Sequence, residues 1–252
     1  MSTMEAGERE ARGSLGTVRN AVTLLGLLGE GPAYQQLTDL AERSGMSVPT
    51  VHRLLRSLVL ADLVEQDPRT SRYSLGPELV RLSHRYLARL PILGALAPYL
   101  SQLRELVHGT VCVQALVRSS VVTIDRVDGS EAGLYREPYA VRPPLASAAG
   151  RLLAARGTDE AWEEALAQAG DSEREALASC RDEWSSAPWV MLEIPGTGGA
   201  GEVAVPLVDA HGHVLAALVA SLAPGPSEDE IAATAGHLAR TGGAAVRTLG
   251  HA

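Results

Sequence analysis

Apolar residues recur at helical spacing from Thr17 to Leu28, where Val18, Ala21, Val22, Leu25 and Leu28 share one face, and Gly29-Glu30-Gly31-Pro32 ends the run. Leu37, Leu40 and Ala41 mark a short second helix through Ser44, closed by Gly45. Ser47 is placed to cap a third helix running to about Leu60. Val51, Leu54, Leu55 and Leu58 form its inner face, while Arg53 and Arg56 point the other way with Thr50 and His52 beside them. Then the period shortens: Val64 to Gln66 and Arg72 to Leu75 read as short strands joined by Asp67-Pro68-Arg69-Thr70-Ser71. Three helices followed by a hairpin make a winged helix-turn-helix over residues 15–76, preceded by a Glu-, Arg- and Gly-rich stretch, 1–14, that reads as a disordered tail.

From Pro77 a helix through about Leu90 carries Leu79, Leu82, Tyr86 and Leu90 on one stripe, and we read residues 77–91 as a linker helix and a surface for pairing two chains. Residues 92–252 mix patterns. Another helix spans about Leu93 to Val107, and β-branched runs Val111 to Val117 and Val121 to Val127 predict a hairpin. Ser147 to Ala155 is helical, and further helices begin at Thr158 and at Ser172, the latter with a capping box to Glu175. After the glycine-rich stretch 195–201, Glu202 to Val208 and His213 to Ser221 predict a second hairpin, and Ser227 with Glu230 caps a last helix to about Leu249. Antiparallel hairpins with flanking helices predict an α+β domain.

Charge changes the picture only when it is counted by segment. The chain carries a net -8, but residues 43–89 hold eight arginines against four acids, a balance of +4, and residues 91–252 hold eleven arginines against twenty acids. The basic balance therefore sits in the front third of the chain, over residues 43–89, as a nucleic-acid partner requires. Every basic residue is arginine. The absence of lysine excludes a Walker A loop, a pyridoxal Schiff base and an S-x-x-K nucleophile site. Hydrophobic residues at 46% allow a core without disulfides, and Cys112 and Cys180 lie in no metal or CxxC spacing, which fits a reducing cytoplasm. No stretch has the roughly 18 apolar residues of a membrane span.

The remaining candidates for chemistry are weak. The glycines at 196–201 follow no parallel strand and open no helix, so a connection is favoured over a phosphate cradle. His211 and His213 lack the further ligands a metal needs, and Cys180 has no activating base readable nearby. We expect no catalytic residue, no metal and no cofactor. Two rival readings stay open: a small-molecule enzyme whose front domain mediates protein contacts, which a turnover screen would reveal, and a regulator that needs no effector.

Thr-Val-His-Arg-Leu-Leu at 50–55, Leu-Val-Glu-Gln-Asp-Pro at 63–68, Arg-Tyr-Ser-Leu-Gly-Pro at 72–77, Leu-Ala-Ser-Ala-Ala-Gly-Arg-Leu-Leu-Ala at 145–154 and Ala-Val-Pro-Leu-Val-Asp at 204–209 together resemble the IclR family of bacterial regulators. The resemblance covers nearly the whole chain past residue 15. It implies a GAF-like effector domain after the linker, a homodimer or homotetramer, and repression or activation of an operator controlled by a small organic effector. On the matching positions it implies DNA contacts from Ser47, Val48, Pro49, Thr50, His52, Arg53, Arg56, Arg69 and Arg72, and an effector site of Leu134, Ser147, Ala149, Gly150, Glu202, Val219 and Ser221. This chain departs from the family pattern at Val48 and Pro49, where a basic or polar residue and a serine are usual. It departs again at Glu202 and Val219, where a cysteine or small residue and a serine are usual. Glu202 has two readings. It faces the pocket and selects a ligand with an amine, amide or hydrazide-like donor, or it ends a strand in solvent and pairs with Arg142 or Arg151.

Overall fold

The computed structural model describes residues 3–130, 141–194 and 199–249, with side chains from residue 16 onward. It divides into two compact units, residues 1–86 and 87–252.

The first unit contains α1 (Thr3–Gly29), α2 (Leu37–Ser44), α3 (Val48–Leu60), β1 (Val64–Gln66), β2 (Tyr73–Leu75) and α4 (Glu78–Leu87). Helix α1 starts well before the expected Thr17, through residues read from composition as a tail; no proline interrupts them. The strands pair antiparallel, Val64 opposite Leu75 and Gln66 opposite Tyr73. Leu24, Leu28, Leu40, Val51, Leu54, Leu55, Leu58, Val64 and Tyr73 form one core, so the inner face predicted for α3 is the face that packs. Gln35, almost wholly buried, holds this unit together in a way the hydrophobic pattern does not reveal. Its Nε2 donates to the carbonyls of Leu27 (3.0 Å) and Leu28 (3.2 Å) at the end of α1, and its Oε1 accepts from Arg43 at 2.7 Å. The backbone of Gln35 also bridges to Tyr73 of β2. Carbonyls left over at a helix end are thereby satisfied by a side chain. Gly45 at the end of α2 adopts φ 66°, the left-handed conformation expected there.

The second unit contains α5 (Pro91–Val107), β3 (Val111–Val117), β4 (Ser120–Val127), β5 (Val141–Arg142), a 3₁₀ turn at Pro144–Ala146, α6 (Ala148–Ala155), α7 (Asp159–Ala167), α8 (Asp171–Ser179), α9 (Arg181–Ser186), β6 (Val190–Glu193), β7 (Gly201–Val208), β8 (Val214–Leu222) and α10 (Glu228–Leu249). The strands form one antiparallel sheet in the order β5-β4-β3-β8-β7-β6. Strand alternation divides its residues between two cores. Val111, Val113, Val203, Val205, Leu218 and Ala220 pack with Leu96, Leu100, Leu103 of α5 and Leu238 of α10. Cys112, Val121, Ala204, Ala217 and Val219 face the other way, toward Ala149, Leu152 and Leu153 of α6, Trp162 of α7 and Trp184 of α9. The architecture is the expected α+β domain, a sheet covered by helices on both faces.

Several ends differ from expectation. Helix α5 begins at Pro91, two residues early, because proline is suited to the first helical position. The helix expected to begin with a Ser172 to Glu175 box is instead capped at Gly170, which places Ser172 inside the first turn. That helix also stops at Cys180, where α9 takes over. The box at the last helix forms as read: the Ser227 amide donates to Glu230 (2.8 Å), and the Glu230 amide donates to Ser227 Oγ (3.3 Å). Strands β5 and β6 were not foreseen.

Candidate functional sites: a nucleic-acid face and a cavity

Helix α3 is split cleanly by exposure. Val51, Leu54, Leu55 and Leu58 are buried; Ser47, Val48, Pro49, His52, Arg53 and Arg56 are exposed, and Thr50 is half-buried. Ser47 stands at the N-cap in extended conformation but makes no capping bond; its Oγ meets Thr50 Oγ1 at 2.8 Å. A capping oxygen accepts from the second or third helical amide; the second here is Pro49, which has none, and the Ser47 hydroxyl meets the Thr50 hydroxyl instead of the Thr50 amide. The start of α3 thus presents free amides and an apolar Val48-Pro49 surface.

The wing turn is fixed by Asp67, whose Oδ1 accepts from the Arg69 amide (2.8 Å) and whose Oδ2 accepts from Thr70 Oγ1 (2.7 Å). These bonds, that of the Arg69 amide foremost, hold the Asp67 carboxyl below its usual range, so it stays ionised wherever DNA would be bound. Arg69 and Arg72 project from this turn in solvent. Among the described residues no carboxylate pairs with Arg53, Arg56, Arg69 or Arg72.

The second unit holds a partly open cavity of about 170 Å³ lined by Thr110, Cys112, Gln114, Val121, Thr123, Arg126, Arg142, Ile194, Glu202, Val219 and Ser221. Alternation brings these together: Cys112 and Gln114 are two apart on β3, and Val219 and Ser221 two apart on β8. Val219 lies opposite Cys112, and Ser221 lies opposite Glu202. Three residues expected at the effector site, Glu202, Val219 and Ser221, line the cavity. Ser147, Ala149 and Gly150 do not; they are buried in and beside α6, behind its wall. Leu134 lies outside the described residues.

The buried positions around α6 have structural work. Ser147 Oγ accepts from the Gly150 amide at 3.0 Å, capping the helix. A Cβ on Gly150 would stand 1.9 Å from the carbonyl oxygen of Pro144, so only glycine lets the 3₁₀ turn press against α6. Gly150→Ala is expected to lower the stability of this unit by about 1–3 kcal/mol through overpacking. Differential scanning calorimetry should show a fall of several degrees in Tm; an unchanged Tm would mean the turn has room to move.

Glu202 is buried and pairs after all, so each of its two expected settings is half met. Its Oε1 accepts from the Ala148 amide at 2.6 Å, at the positive N-terminal end of α6, and its Oε2 lies 3.4 Å from Arg142 Nη1. Arg151 is engaged elsewhere, donating to the Leu145 carbonyl and lying over the Trp184 ring. The other cavity arginine, Arg126, is paired with Asp128 at 2.6 Å. Burial pushes the Cys112 thiol up to about 11, which leaves it protonated and a poor nucleophile.

Sequence reasoning missed Thr110, Cys112, Gln114, Val121, Thr123, Arg126 and Ile194 as lining residues and placed Arg142 there only as a partner for Glu202. One signal was available. Gln114 is a lone amide in a β-branched run, two residues from Cys112, and the period of two assigns both to one face. Among the described residues no cluster of His, Cys, Asp and Glu could hold a metal, and no helix is long and apolar enough to cross a membrane.

Comparison with known proteins gives this arrangement its context. Residues 17–68 match the IclR helix-turn-helix domain and residues 84–241 match the bacterial transcriptional regulator IclR C-terminal domain. The HTH-type transcriptional regulator XynR of Escherichia coli is 28% identical over 246 residues, covering 93% of this chain and 97% of that protein. An IclR-type regulator structure from a Silicibacter species superposes with a TM-score of 0.79 at 24% identity, covering 93% of this chain and 96% of its own. An IclR homologue from Microbacterium hydrocarbonoxydans, complexed with 4-hydroxybenzoate, superposes with a TM-score of 0.69 at 22% identity, covering 94% of this chain and all of its own. Both matched domains belong to proteins that regulate transcription and are not enzymes, and together they span most of the sequence: the chain belongs to the IclR family of bacterial transcriptional regulators.

Proposed function

We propose that this chain represses transcription as a homodimer or homotetramer, holding operator DNA through Ser47, Val48, Pro49, Thr50, His52, Arg53 and Arg56 at α3 and Arg69 and Arg72 at the wing, and releasing it in response to a small organic molecule bound in the cavity. The observation that carries the reading is the set of four solvent-facing arginines on α3 and the wing, none paired with a carboxylate among the described residues. Arginines with idle forked donors on the exposed face of a recognition helix are suited to phosphate oxygens and guanine edges. One such helix reads few base pairs, and two half-sites supply the rest. Val80, Leu82 and Tyr86 on α4 are exposed apolar side chains that pairing would cover. That a neighbour of this fold is complexed with 4-hydroxybenzoate supports ligand control.

The test is operator titration by fluorescence anisotropy. Arg53→Ala and Arg56→Ala are each expected to weaken binding, and a variant that has lost a guanine contact should lose about 1–3 kcal/mol of discrimination at one base pair. Arg69→Ala and Arg72→Ala should weaken all sequences alike, as lost phosphate contacts do. Full operator affinity in the double variant Arg53→Ala/Arg56→Ala would overturn the assignment.

A further inference from the structure

The polar groups around the cavity are almost all spoken for. Arg126 has Asp128, Arg142 has Glu202, and Ser221 Oγ accepts from the Thr110 amide at 2.8 Å. Among the described residues, Gln114 is left with its side-chain amide incomplete. Its side chain is more than nine-tenths buried, and its Nε2 reaches only Thr123 Oγ1, at a long 3.4 Å. Its Oε1 is sealed from solvent without a hydrogen-bond partner. A buried amide left half-satisfied is costly unless something else completes it.

The place where an anion would settle is already taken. The first amide of α6 is the positive end of a helix, and the side chain that occupies it, Glu202, belongs to the chain itself. A ligand carboxylate would have to sit beside a buried like charge or displace Glu202 and leave it unpaired. Both guanidinium groups already face a carboxylate, so neither brings an uncompensated positive charge to receive it. A volume of about 170 Å³ is also below the 300–1,000 Å³ common for drug-sized ligands.

Building on the ligand-controlled reading above, we propose that the cavity selects a small uncharged carboxamide and discriminates against the corresponding carboxylate, with Gln114 as the residue that reads the amide. A carboxamide carries donors and an acceptor. It can therefore meet the side-chain amide of Gln114 in a paired arrangement, whichever way that amide is turned, and it brings no charge to Glu202.

The experiment is isothermal titration calorimetry on the full chain with acetamide and benzamide against acetate and benzoate, alongside operator release by each compound. Wild type should bind one of the amides at least about tenfold tighter than its acid, the worth of one good hydrogen bond. Gln114→Leu, similar in volume, should keep or raise the melting temperature while losing about tenfold or more in amide affinity. Glu202→Gln, which keeps an acceptor for the Ala148 amide but removes the charge, should narrow the gap by improving the acid. Tighter binding of the acids by wild type, undiminished amide binding by Gln114→Leu, or binding of neither class overturns the proposal. The two readings separate cleanly. Operator release by benzoate alone leaves ligand control standing and removes the carboxamide class; amide binding without operator release does the reverse.

Discussion

Raising salt from about 50 to about 200 mM is expected to lower operator affinity by about 10³- to 10⁵-fold, as the release of counterions from some 6–10 neutralised phosphates per dimer requires. The net charge of -8 does not contradict this, because the charges that matter are local. At 0.1 M salt the Debye length is about 10 Å, so acids farther than that from the phosphates contribute little, while Arg53, Arg56, Arg69 and Arg72, in the proposed complex, would act at contact. Anisotropy titrations at four salt concentrations give the slope directly. A slope near zero would show that these arginines do not meet phosphates, and the DNA face would have to be sought elsewhere.

Leu55→Ala is expected to be nearly as severe. Leu55 is fully buried at the centre of the small core that seats α3, and a leucine truncated at such a site costs about 2–5 kcal/mol. A domain's whole stability is about 5–15 kcal/mol, so the substitution should greatly reduce the fraction of chains able to present a recognition helix at all. Leu60→Ala on the same helix is the control: Leu60 is 82% exposed and its truncation should stay within about 0.5 kcal/mol. Thermal melts followed by circular dichroism, paired with operator binding, test both. Equal melting curves for the two variants would mean that burial at Leu55 does not hold α3 in place.

What the sequence made legible follows from how each feature is encoded. The first three helices and the wing were visible because each repeats a local rule: a period of 3.6 with a breaker, then two short runs around a proline turn. The sheet hairpins were equally plain. Strands β5 and β6, of two and four residues, carry too little alternation to announce themselves, and they exist because neighbouring strands offer them edges. The cap at Ser47 does not form because its hydroxyl turns to the hydroxyl of Thr50, a choice that residue types alone do not reveal. The cavity was the least legible part, since its wall is collected from five strands far apart in sequence. The family pattern led to Glu202, Val219 and Ser221, yet it could not show how closely Gly150 packs on the backbone of Pro144.

Strand β3 is common property. Cys112 and Gln114 form part of the cavity wall, while Val111 and Val113, one bond away on the same backbone, lie in the core that holds Leu96, Leu100 and Leu103 of α5. Packed interiors have low compressibility, so they pass on a push more readily than they absorb it. A guest bound against Gln114, as proposed, would lean through a single thickness of peptide on the first helix of its own domain. The ligand's message needs no long wire: the strand is a partition thin enough to be heard through.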